Sequence, residues 1–169
     1  MRECNKKRIS GAAVLPVVAF LLATAAGAAF AQASEIFAGL EGAWSGEGTA
    51  KFSNGSTTPL RCRGSYAVSG GGDHLDQALD CVSPRQSFAF RIALDQSNGA
   101  ILGNWQELTH QVQGGVSGDG GAGRLRLVTR GQGFSAEVAV VTRGGRQTLA
   151  IAASAGGFSS ASITLRQNH

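Results

Sequence analysis

The feature that most constrains this chain is glycine set into an alternation of apolar and polar residues with period two. Of 169 residues 25 are glycine, and 23 of those lie after residue 33, a density more than twice the average use of about 7%. Each glycine in a helix interior costs about 1 kcal/mol relative to alanine, so a helical fold is excluded. With only three prolines and glycines interleaved with apolar residues, the chain also differs from a disordered low-complexity segment. What remains is a folded, turn-rich β-protein.

The alternation starts at Gly42. Trp44, Gly46, Gly48, Ala50 and Phe52 share one parity, and Ser45, Glu47, Thr49 and Lys51 share the other, the pattern of a half-buried strand. Asn54-Gly55 supplies a turn. In the next run Leu60, Cys62, Tyr66 and Val68 face inward, and after Gly70-Gly71-Gly72-Asp73 so do Leu75, Leu79 and Cys81. Pairing these two runs across the glycine turn puts Cys62 opposite Cys81, both pointing into the core, where a bridge is sterically reasonable. The alternative is a pair of buried free thiols.

Further runs follow about every ten residues: Ser87 to Asp95, Ala100 to Leu108, a blurred one around Val112 to Ser117, then Arg124 to Arg130, Phe134 to Thr142, Arg146 to Ser154 and Ser160 to Arg166. The nine or ten short strands leave no room for crossover helices. Their one apolar face must be covered, by a sandwich or by closure. Short connections favour an all-β, single up-and-down antiparallel barrel of about 8–10 strands over residues 34–169. A helical turn or two is expected between Ser34 and Gly42.

Residues 1–33 have the shape of a secretory signal peptide. Arg2, Lys6, Lys7 and Arg8 precede an apolar run, Gly11 to Ala31, that ends in Ala29-Phe30-Ala31 and Ala31-Gln32-Ala33, two cleavage patterns. The competing reading is a retained single-span anchor. No cysteine stands at the cleavage position, so a lipoprotein is not expected. The expected location is periplasmic or secreted, with no stable membrane span after cleavage. Removing the leader takes away four basic residues and one acid, so the formal charge of +4 falls to about +1. A field that attracts nucleic acid is therefore not implied. Cys62 and Cys81, the cysteines left, agree with an oxidising compartment.

Candidate sites are few. Gly118-Asp119-Gly120-Gly121-Ala122-Gly123 matches a dinucleotide fingerprint in letters, but a strand rather than a helix follows, so it reads as a hairpin loop. His74, His110 and His169 are scattered and suggest no metal, and Asp73, Asp76 and Asp80 read as a solvated face. No nucleophile, acid–base pair or cofactor motif is present, so the chain is not read as an enzyme. Arg124, Arg126 and Arg130 share the outward parity of one strand, and Arg143 and Arg146 flank the next turn. Together they form a candidate anion patch for phosphate or carboxylate groups, set against the plain role of charges that protect sheet edges.

Gly42-Ala43-Trp44, opening the first strand, resembles the G-x-W that begins lipocalin and other calycin barrels. The resemblance implies that the tryptophan plugs one barrel end and that an arginine of the last strand, here Arg166, packs over it. The family's T-D-Y segment is missing. Gly42-Ala43-Trp44-Ser45-Gly46, Leu60-Arg61-Cys62-Arg63 and Thr142-Arg143-Gly144-Gly145-Arg146-Gln147 also look like a group of small exported proteins of Gram-negative bacteria without assigned function. That likeness implies a periplasmic barrel and no activity.

A barrel of this size either fills with side chains or holds one small ligand. Small inward residues (Gly46, Gly48, Ala50, Gly64, Ala136) leave room, or merely bend the strands to close the barrel. The leading expectation is a lumen for a small apolar or amphipathic ligand, lined by Trp44, Tyr66, Phe88, Phe90, Trp105 and Phe134. The second is a filled barrel that binds an envelope protein or polymer through its loops or arginines.

Overall fold

In a computed structural model the structure describes residues 36–154 and 157–168. The leader, with its cleavage patterns, therefore lies outside the described residues. Ten strands run in chain order: β1 Gly42–Phe52, β2 Thr57–Ser69, β3 His74–Val82, β4 Ser87–Ser97, β5 Ala100–Glu107, β6 Val112–Gly121, β7 Arg124–Gly131, β8 Phe134–Arg143, β9 Arg146–Ala153 and β10 Phe158–Gln167. Each pairs antiparallel with its sequence neighbours, and β1 pairs with β10 to close the barrel. The fold is an all-β, up-and-down, calycin-like barrel of ten strands. Among the described residues no helix is long and apolar enough to cross a membrane, which says nothing about strands.

The predicted parities hold along β1, β2 and β3. Cys62 pairs with Cys81 in the β2–β3 ladder, and the two are joined by a disulfide. The blurred run becomes a full strand, β6, and takes in Gly118 to Gly121. The hairpin turn is thus shorter than the fingerprint suggested, with only Ala122 and Gly123 between strands. Alternation is hard to read there because the inward positions Gly114, Gly118 and Gly120 have no side chain to signal them.

Several inward glycines serve closure rather than space. A Cβ on Gly46 would run into the carbonyl of Thr164 on β10, and one on Gly114 into the carbonyl of Arg130 on β7. Strands that coil tightly enough to close press backbone against backbone at such points.

One end of the barrel is closed. Within the segment before β1, where a helical turn or two was expected, residues 36–39 form a single hydrogen-bonded turn, with the Leu40 amide donating to the Phe37 carbonyl. It lays Ile36, Phe37 and Leu40, all buried, across the strand ends. Ile36 reaches Gly120, where an added Cβ would collide with its Cγ2. Trp44, 1% exposed, sits beneath this plug and donates its indole N–H to the Leu40 carbonyl at 2.7 Å.

The expectation for Arg166 is corrected here. Arg166 pairs with Ser45 and points outward with it, whereas Trp44 and its partner Gln167 face in. Parity forbids Arg166 from covering the indole. Tyr66 packs against the indole instead, edge to face with ring centroids 5.9 Å apart.

Candidate functional site: an apolar lumen with an aromatic mouth

The barrel interior holds a cavity of about 580 Å³. Its mouth is the end where β1, β3, β5, β7 and β9 finish and the return strands begin. Alternation turns Phe52 of β1, Phe88 and Phe90 of β4, Trp105 of β5, Phe134 of β8 and Phe158 of β10 inward near this end, where they form an aromatic collar. Phe88 and Phe90 stack along β4 with centroids 6.5 Å apart, Phe52 meets Phe158 edge to face at 6.3 Å, and Trp105 meets Phe134 edge to face at 5.5 Å. Leu79, Leu127, Val138 and Ile151 continue the apolar wall inward.

Of the six predicted lining residues, Tyr66, Phe88, Phe90, Trp105 and Phe134 line the cavity. Trp44 does not. The plug segment covers it, so it belongs to the closed end. Phe52, whose inward parity was read but which was not named as lining, and Phe158 at the start of β10 are additional lining residues.

The floor is polar but uncharged. Tyr66 donates its hydroxyl to Gln147 Oε1 at 2.7 Å and accepts from Gln77 Nε2 at 3.0 Å, while Gln147 Nε2 donates to Thr142 Oγ1 at 3.2 Å. Burial pushes the Tyr66 phenol well above its ordinary range, so it stays a neutral donor. At the wall, the Trp105 indole N–H is buried with no hydrogen-bond partner among the described residues.

A carboxylate stands at the mouth. Glu107 ends β5 with the inward parity of Trp105 and is 5% exposed. Its Oε1 accepts from the amides of Ala89 and Thr109 at 2.9 and 3.0 Å, and its Oε2 from the amide and ring Nδ1 of His110, both at 2.7 Å. Burial works against its charge, yet the three amides and the imidazole outweigh burial and lower its pKa to about 2. His110 lies over Phe88, with ring centroids 5.7 Å apart. Both residues line the cavity, which no lysine or arginine among the described residues does. Glu107 was not named from the sequence, and His110 only as one of three scattered histidines. The available signal was parity, which turns Glu107 to the same side as Trp105.

The five arginines of the candidate anion patch do not gather as one. All are exposed. Arg143 and Arg146 face each other at the closed end, Arg126 lies opposite Asp119, and Arg130 is near the mouth end of β7. Elsewhere on the surface, His74 is hydrogen-bonded between Asp95 at 2.7 Å and Asp76 at 3.2 Å, so that acidic face is partly self-paired. Among the described residues no group of three or more His, Cys, Asp or Glu side chains is arranged so that it could hold a metal ion.

No protein-family model matches the chain, and no curated protein does. Solved structures do. The structure of Rv2717c from M. tuberculosis superposes with a TM-score of 0.60 at 10% identity, covering 77% of this chain and 93% of that one. The S-type phycobiliprotein lyase CPES from Guillardia theta gives 0.55 at 8% identity, covering 76% and 88%. At such identities the likeness is one of fold.

Proposed function

We propose that this chain is an exported binding barrel whose lumen takes up a small, mainly apolar molecule with no negative charge in its buried part, and that it binds rather than transforms it. The observation that carries this reading is the apolar cavity of about 580 Å³, open at one end of the barrel and within the size range of small-molecule sites. Phenylalanine and tryptophan rings at its entrance offer large apolar area at little entropic cost. A buried anion would find no arginine or lysine to pair with and would lie near the Glu107 carboxylate, which makes its desolvation costly. Neutral donors and acceptors at the floor, and the unpartnered Trp105 N–H, suit a ligand with one or two uncharged polar atoms. The leader motif supports the envelope as the place of action, as the disulfide does. The Guillardia theta neighbour is by name a lyase, but the Glu107–His110 pair at this mouth has no hydroxyl or thiol hydrogen-bonded to it among the described residues.

The test is uptake of a neutral apolar dye, N-phenyl-1-naphthylamine, read by its fluorescence and by quenching of Trp105. Saturable one-to-one binding is expected, lost in Val138→Trp, which fills the lumen, with unchanged circular dichroism. Binding of the dye by both proteins alike would place it outside the lumen and overturn the reading.

A further inference from the structure

The outer surface at the closed end carries charge that the lumen does not use. Arg143 faces Arg146 across β8–β9, and Arg146 faces Arg166 across β9–β10. The three stand in one cross-strand row on consecutive strands, about 4.8 Å apart per strand. Arg124 joins from β7 as a diagonal neighbour of Arg143, since it lies opposite Val141. Past Ser45 the row reaches Arg63.

All five arginines are exposed, and none makes an ion pair among the described residues. Arg61 pairs with Glu47, Arg91 with Asp80, and His74 with Asp76 and Asp95. Asp119 lies opposite Arg126 rather than the row, and Asp80, opposite Arg63, is held by Arg91. Like charges placed opposite each other across strands repel. The usual reason to charge a strand is to protect a free edge, and a closed barrel has none. Among these arginines stands Val141, 38% exposed, two residues from Arg143 on the same outward face.

We propose that this face docks on the surface of an anionic phospholipid bilayer, with the arginines on headgroup phosphates and Val141 at the headgroup–acyl boundary. The face offers no cradle for one small anion, since a Cβ on Gly144, between Arg143 and Arg146, would meet nothing within 4 Å. An exposed valine gains nothing from a soluble polyanion but leaves water at a bilayer. Docking by the β8–β10 flank of the closed end, away from the acidic β3–β4 flank, leaves the mouth free, so the role is independent of lumen occupancy.

The test is co-sedimentation with vesicles of phosphatidylcholine alone and of phosphatidylcholine mixed with phosphatidylglycerol, at low and high salt. Because the closed barrel has its own core, the chain from Ser34 onward serves. Binding is expected only to the mixed vesicles at low salt. The triple variant Arg143→Ser, Arg146→Ser, Arg166→Ser should bind roughly tenfold or more weakly while keeping its circular dichroism. The equal-charge control Arg61→Ser, Arg91→Ser, Arg130→Ser should bind like the parent, and Val141→Asp more weakly. No binding to mixed vesicles would overturn the proposal, as would equal loss in both triple variants. Retention on immobilised polyphosphate without vesicle binding would overturn it in favour of a soluble polyanion.

Discussion

Glu107 concentrates most of the chemistry of the mouth in one side chain. Its carboxylate ties β4 to the β5–β6 turn through the amides of Ala89, Thr109 and His110. Its folded pKa, about 2, lies below its ordinary 4.5. The depressed value means that the folded state favours the charged form. The stabilisation is complete above the unfolded pKa and fades as pH falls from 4.5 toward 2. Between pH 6 and pH 3 it should decline by about 2 kcal/mol, read from urea midpoints at the two values. Glu107→Gln should be less stable at pH 6 and lose the part of that decline due to this group. Parity alone turns Glu107 inward in the sequence, but its partners come from a neighbouring strand and a turn, so its role needed the register. Trp44 makes the converse point. Its inward direction was legible, while the turn that separates it from the lumen was not, because residues 36–41 carry no period that fixes their path.

At the level of strands, hairpin partners were legible where side chains alternate sharply, as in β2 and β3, whose glycine turn sets Cys62 against Cys81. Replacing both cysteines with alanine should cost about 3 kcal/mol and lower the thermal midpoint by several degrees, measured by calorimetry against the oxidised parent. β6 was only half legible, because its inward Gly114 and Gly118 answer to the backbone of β7 and its inward Gly120 to the side chains of Ile36, Ile101 and Leu125. Gly114→Val drives a side chain into the Arg130 carbonyl and should destabilise by more than about 2 kcal/mol or prevent folding. Gly121→Ala has open space around its Cβ and should shift stability by about 0.5 kcal/mol at most. Chemical denaturation of the two variants separates close approach from mere glycine content. The arginine row likewise needed register, since parity shows which arginines face out but not which meet across strands.

For the whole molecule, short connections and one apolar face were enough to point to a closed antiparallel sheet. Closure itself rests on β1 meeting β10, a pairing of chain ends that no local pattern encodes. A hollow interior is a further step, because it depends on barrel radius set against side-chain volume. The central claim is that this space holds a ligand, and native mass spectrometry of the gently purified protein tests it most directly. The expected spectrum has one stoichiometric small-molecule adduct that leaves on denaturation, is mainly apolar and lacks a carboxylate. A bare protein mass, together with failure to take up neutral apolar probes, would contradict it.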